Sequence, residues 1–361
     1  MDLLLRIGGS LLGLVMVLAF VRSIVQVALI NRQGGDGLAR RVGCLVYRTI
    51  ARVARRRCSY DQIQDVLAWI FPIYVLLLII VWFALVQAGF ALLIWSSQAE
   101  HSLLQAVIAS GSALSTLGFL TPPDIAGQLL AIPEGAMGLG IVVFLLTFVP
   151  GYQTAIQARE LKVAWLYARV GAEPANFELV EWLQLSGRLE DSDVWEDWEE
   201  WFRNLVETHT LVPVLAFVPT VHRDQTWLIA AAVILDAASF YLCALDAKAQ
   251  PAAMLCHATG VGALRLIAAQ LHDHHSPKAA RPAGSDLGRP TFDTAYDRLS
   301  ALGAPIKSDR DECWQRFTEL REEYYVFLPK LANSLLIPTH QTMLAGSGIV
   351  TDWGPRQAGR P

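Results

Sequence analysis

From Val66 to Ala99 the chain carries no charged side chain. As a helix this run would reach roughly 50 Å at 1.5 Å per residue, more than the ~30 Å hydrocarbon core of a bilayer requires. A segment of that length and composition commits the chain to a membrane. Two further runs qualify. Ile7 to Ile30 is apolar except for Arg22, and no small-residue cleavage site follows it, so the sequence predicts a retained helix rather than a signal peptide. Gly135 to Ala158 is charge-free and long enough to cross.

Composition agrees with a chain of two characters. Its 361 residues are 53% hydrophobic and 17% charged, with the apolar excess in roughly the first 160 positions. Soluble domains carry about 25% charged residues. Among the eleven Trp, Trp82 and Trp95 are expected near membrane interfaces. The five Cys are scattered, with neither C-x-x-C nor metal-ligand spacing, which predicts reduced structural thiols.

The loops give a direction. Arg32, Arg40, Arg41, Arg48, Arg52, Arg55, Arg56 and Arg57 lie between the first two apolar runs. From Gln98 to Glu134 there is no Lys or Arg, and Glu100, Asp124 and Glu134 are acidic. Positive charge stays on the cytoplasmic side, so the amino terminus is expected outside and everything after Arg159 inside. Within 38–57, Val42, Leu45, Val46, Ile50 and Val53 alternate with arginines, as in an amphipathic helix on the anionic inner leaflet. Arg48, Arg52, Arg55 and Arg56 would then touch the membrane surface. A solvated basic linker is the other reading.

Between the second and third runs, Ser102 to Leu114 is too short to cross and too apolar for an ordinary loop. A helix there would be roughly 20 Å long and would dip halfway in. Its carboxyl end would favour a cation through the partial negative charge of its carbonyls. Ser110, Ser112 and Ser115 belong to this element, and the chain continues as Thr116-Leu117-Gly118-Phe119. The order of helix, pore helix, Thr-x-Gly-aromatic and helix resembles the pore module of two-helix potassium channels, over residues 66–158. In that family a Thr-Val-Gly-Tyr-Gly signature offers carbonyl rings to a dehydrated ion. The resemblance implies that Thr116, Leu117, Gly118 and Phe119 fill the first four filter positions. Leu120 and Thr121 stand where the family has Gly and Asp, which implies a variant, less selective filter. A re-entrant loop that packs the fold without conducting is the alternative.

The third run adds Gly138 and Gly140, which permit close packing beside the filter, and Pro150-Gly151 near its inner end. A proline inside a helix removes a ladder hydrogen bond, so Pro150 and Gly151 are a candidate gate or hinge, or else the helix end.

Residues 159–361 carry ordinary charged helices. Ser192 is a candidate cap for an acidic first turn, with Trp195, Trp198 and Phe202 or Leu205 on one face. The acidic face either docks on the basic 38–57 segment or is simply solvated. Trp227 to Leu245 is apolar except for Asp236, and reads as a buried helix packing on 251–271, with a fourth crossing as the alternative. His257, His272, His274 and His275 have no second ligand set, so no metal site is assigned. Helices are expected from Thr291 to about Leu302 and from Asp309 to Leu328. No Walker loop, dinucleotide fingerprint or nucleophile elbow is present, so no catalytic residue is named.

The sequence reading is an all-α membrane protein with three transmembrane helices, a re-entrant pore helix and loop, and a helical cytoplasmic C-terminal domain. Its parts are an N-terminal transmembrane helix (1–31), a basic amphipathic linker (32–65), the channel-like module (66–158, pore helix and filter at 102–121) and the cytoplasmic domain (159–361). The last includes a flexible loop at 273–290 and a disordered tail at 345–361. The resemblance implies a homotetrameric cation channel subunit in the cell membrane. Its permeant ion would be a monovalent cation, K+, with no other cofactor. Expected partners are the bilayer, copies of the chain and a cytoplasmic protein, and no nucleic acid. The alternative is a non-conducting scaffold or sensor whose cytoplasmic helices bind a partner.

Overall fold

A computed structural model describes residues 2–28, 36–56, 60–100, 102–171, 177–211, 213–219, 225–272 and 288–337. Residues 273–287 and 338–361 lie outside them, and with them most of the expected loop 273–290, the whole expected tail 345–361, and Cys58, His274 and His275. Among the described residues the protein is all-helical, and strand-like pairing is confined to one isolated bridge between Leu245 and Ile306. Five helices are long and apolar enough to cross a membrane by length and composition: Leu4–Ala28, Asp61–Ser96, Ile125–Val170, Trp227–Ala244 and Gln250–Leu271. The chain divides into two compact units, one of Met1–Tyr47 and Phe71–Thr154, the other of Arg48–Ile70 and Ala155–Pro361.

The first unit is built on α1 (Asp2–Ala28) and α4 (Ile70–Ser96), with α5 (Leu103–Leu114) and the beginning of α6 (Ile125–Val170). Between α1 and α4 run α2 (Gly37–Ala54) and α3 (Tyr60–Leu67). Glycines set the α1–α4 approach. A methyl on Gly13 would lie 2.6 Å from the Gly89 carbonyl oxygen, and one on Gly89 would lie 2.8 Å from Val17 Cγ2. Backbones that close, with small residues four apart at Gly9 and Gly13, are how apolar helices associate without a hydrophobic drive. Gly89→Ala is therefore expected to cost about 1–3 kcal/mol by overpacking, read as a lowered thermal midpoint in detergent. Polar pins join the same helices: Ser10 Oγ and Ser96 Oγ are 2.7 Å apart, and Arg6 donates to the Trp95 carbonyl at 3.3 Å.

Trp82 departs from its expected interfacial place. It is fully buried, edge-on to Phe20 and Phe144, and its Nε1 donates to Ser23 Oγ at 2.9 Å. Ser23 in turn donates to Asp36, whose Oδ2 accepts the Ala39 amide at 2.9 Å and so caps α2. The indole N–H needs a partner when buried, and this relay supplies it.

The α2 helix is amphipathic as expected, but protein covers its apolar side at Val42, Val46, Tyr47, Ile50 and Ala51, while Leu45 and Val53 stay exposed. Arg48, Arg52, Arg55 and Arg56 are exposed. The α6 helix runs 46 residues, about 69 Å, through Pro133 and Pro150, so Pro150-Gly151 does not end it. The boundary drawn at 158 thus falls inside one helix.

The second unit also holds α7 (Glu178–Leu185), α8 (Asp193–Leu211), a 3-10 turn (Pro213–Phe217), α9 (Trp227–Ala244), α10 (Gln250–His272), α11 (Arg289–Ala301), α12 (Arg310–Tyr325) and α13 (Leu328–Ser334). Helix α9 is its axis: nearly all of its residues are buried, and α7, α10, α12 and α13 pack on it. Asp236 at its middle pairs with Arg321 at 3.1 Å and with the Tyr324 hydroxyl. On α8, Trp195, Trp198, Trp201, Phe202 and Leu205 are all buried on one face. Its acids are paired locally: Asp193 with Arg188, Asp197 with Lys162, Glu199 with Arg203. Arg159, buried near the end of α6, donates to the carbonyls of Leu215 and Val218 at 3.2 and 3.0 Å. Burial, and then Arg159, push the neighbouring His209 well below the usual imidazole range, so it is neutral.

Candidate functional site

Helix α5 and the segment after it place irregular backbone between the apolar helices α4 and α6 of the first unit, and a shorter irregular stretch, with Gln98 at φ 63°, precedes α5. The helix ends at Ser115 in a right-handed cap, and Thr116 then takes a positive φ of 59°. The Thr116 amide donates to the Ala113 carbonyl at 2.9 Å, the usual bond of a helix whose next residue turns left-handed. Gly118 has φ 66°, and its amide returns to the Ser112 carbonyl at 3.2 Å. The Leu120 amide donates to Ser112 Oγ at 2.9 Å. Ser112, fully buried, therefore clamps the segment with both its carbonyl and its hydroxyl. The positive-φ conformation falls on Thr116 and Gly118, and Leu120 escapes it.

The consequence is a sorting of polar groups. Amides of Thr116, Gly118 and Leu120 turn back to α5, whereas no hydrogen bond among the described residues reaches the carbonyl oxygens of Ser115, Thr116, Leu117, Gly118 or Phe119. Those residues are exposed, with Leu117 at 72% and Phe119 at 67%. No family model, curated protein or solved structure matches the chain.

The three serines assigned to the pore helix do separate things. Ser112 holds the turn, and Ser115 Oγ folds onto the Gly111 carbonyl at 2.6 Å. Ser110 faces away, into a buried contact with the Gln87 carbonyl at 3.0 Å and with Glu134 Oε1. The sequence placed Glu134 in an acidic outer loop, but it is fully buried on α6; Glu100 is 9% exposed, which leaves Asp124 as the exposed acid of the three. Gln87 and Glu134 are the polar groups that sequence reasoning missed. Only Glu134 had a signal in the sequence: it is the single charge between Asp124 and Arg159.

Packing under the turn is set by α6. A methyl on Gly138 would fall 2.1 Å from the Leu114 carbonyl oxygen, and one on Gly135 would fall 3.3 Å from that of Ala113. Gly140 has open space, so the close approach belongs to Gly138 and Gly135 rather than to Gly140. Pro150 and Gly151 are exposed on α6, where Thr154 Oγ1 donates to the Pro150 carbonyl at 3.0 Å. Arg48, Arg52, Arg55 and Arg56 belong to the second unit and are not part of this site. Among the described residues no group of three or more His, Cys, Asp or Glu is placed to hold a metal.

Proposed function

We propose that the chain is a subunit of an oligomeric, potassium-channel-like cation channel in the cell membrane. In this reading α1, α4 and α6 cross the bilayer and α5 dips in from outside. The amino terminus is external and the residues after Arg159 are cytoplasmic. Helices α9 and α10 stay in the cytoplasmic bundle, because the buried Asp236–Arg321 pair and the full enclosure of α9 leave that helix no face for lipid. Copies of the chain, four in the family it resembles, surround the Thr116–Phe119 segment. What carries the reading is the run of unpaired carbonyls from Ser115 to Phe119. At membrane depth such groups cost several kcal/mol each unless they face water or an ion. A monovalent cation that sheds its hydration shell is the partner that carbonyl oxygens suit.

Gly118→Val tests this without disturbing the fold. A side chain there meets nothing within 4 Å, so the penalty is conformational: φ 66° is poorly tolerated by a β-branched residue. In liposomes, wild-type chain is expected to carry K+ flux and the variant to fall to the empty-vesicle rate. Wild-type vesicles that pass no cation at any voltage or pH would overturn the proposal and favour a non-conducting scaffold.

A further inference from the structure

Glu134 follows Pro133 on α6 and is fully buried. One carboxyl oxygen, Oε1, meets Ser110 Oγ of α5, and the other, Oε2, is buried without a partner among the described residues. Ser110 Oγ lies 3.0 Å from the Gln87 carbonyl oxygen of α4. The protons in this cluster can be counted. A backbone carbonyl only accepts, an ionised carboxylate only accepts, and the serine hydroxyl supplies one hydrogen. Two acceptors against one hydroxyl leave one contact without a hydrogen. A proton on Glu134 completes both: the acid donates to Ser110 Oγ, and Ser110 donates to the Gln87 carbonyl.

Among the described residues of α4, α5 and α6, no neighbour offers to balance a negative charge instead. Helices α4 and α5 contain no Asp, Glu, Lys, Arg or His, and on α6 no other charge occurs before Arg159. Two other titratable side chains on these helices are Tyr74, about 3.6 turns before Gln87 on α4, and Tyr152, about 5 turns beyond Glu134 on α6. No ion pair involves Glu134 among the described residues. Ionisable groups enclosed at membrane depth mark proton and ion paths, and a proton needs no cavity.

We propose that Glu134 is a proton-binding site in the membrane-embedded unit, with Ser110 as the hydroxyl that links its proton to the Gln87 carbonyl. The step is a simple association: a proton drawn from water adds to the carboxylate and gives the carboxylic acid. The site goes beyond the cation path at 115–119 and does not rest on it, because its readout is spectroscopic and needs no ion flux.

The test is infrared difference spectroscopy of the full chain in lipid at neutral pH, wild type minus Glu134→Gln. Glutamine keeps an N–H to offer Ser110, so the variant is expected to fold with unchanged helical circular dichroism. The expected spectrum shows the C=O stretch of a protonated carboxylic acid, displaced in heavy water and lost in the variant. Ser110→Ala is expected to keep that band and move it toward the frequency of a free acid, which covers the case in which Glu134→Gln fails to fold. Carboxylate bands in place of the acid band would overturn the proposal. An acid band that Ser110→Ala leaves unmoved would overturn the role given to Ser110.

Discussion

Replacing Asp236 with Ala is expected to destabilise the second unit by about 3–5 kcal/mol, the cost of stripping one partner from a buried ion pair. Asp236 is 3% exposed at the centre of α9, and its Oδ1 takes the Arg321 Nε–H at 3.1 Å together with the Tyr324 hydroxyl. Removal would leave a guanidinium among apolar side chains with Nη2 already lacking a partner among the described residues. It would also take from the Tyr324 phenol the carboxylate it donates to. Burial, and then Asp236, hold that phenol well above its usual range, so it stays a donor throughout physiological pH. Urea unfolding followed by tryptophan fluorescence is the measurement, since Trp195, Trp198, Trp201 and Trp227 are all buried in this unit. Asp236→Ala with Arg321→Met is expected to recover much of the loss, because no charge is then stranded. A single substitution costing under about 1 kcal/mol would mean the pair is solvated.

Gly138→Val is expected to displace α6 from α5 and to abolish any flux through the 115–119 segment. The added carbon would lie 2.1 Å from the Leu114 carbonyl oxygen, a backbone atom that cannot step aside. Overpacking of this kind costs about 1–3 kcal/mol when neighbours relax, and here the neighbour is the last turn before the Ser112 clamp. Gly140→Val, two residues on, faces open space and serves as the control. Thermal stability in detergent and vesicle flux should separate the pair: both fall for Gly138→Val, and neither moves for Gly140→Val. Equal behaviour of the two would remove Gly138 from the site.

The apolar helices were legible because absence of charge over a long run has few other meanings. The expected segment Val66 to Ala99 contains α4, and the amphipathic stretch 38–57 covers all of α2 but its first residue, Gly37. Helix starts were legible too: the helix expected from Asp309 begins there, with Asp309 accepting the Glu312 amide at 2.9 Å, and Ser192 precedes α8, where its hydroxyl donates to the Glu196 carboxylate at 2.7 Å. Two things were hidden. Pro150 read as a hinge or a helix end, yet α6 runs on through it and through Pro133, because proline costs a helix one bond and packing around it decides the rest. The Thr-x-Gly string is ambiguous for a different reason. A filter and a left-handed helix cap both call for residues that tolerate positive φ, so Thr116 and Gly118 satisfy either role in sequence. Gln87 could not be singled out, nor could the clamp that Ser112 makes, because their meaning lies in which backbone atoms stand opposite them.

The enclosure of α9 has a consequence for biosynthesis. Arg321, the counter-ion of Asp236, is 85 residues downstream. The ribosome must therefore release an oily helix well before α12 and α13, two of the helices that wrap it, have been made. During that interval the insertion machinery can test the segment as a span, and a central carboxylate, at about 2.5–3.5 kcal/mol, is the label that argues for refusal. On the proposed topology the same aspartate that later locks the bundle would first keep its helix out of the lipid, so Asp236→Leu should misroute newborn chains.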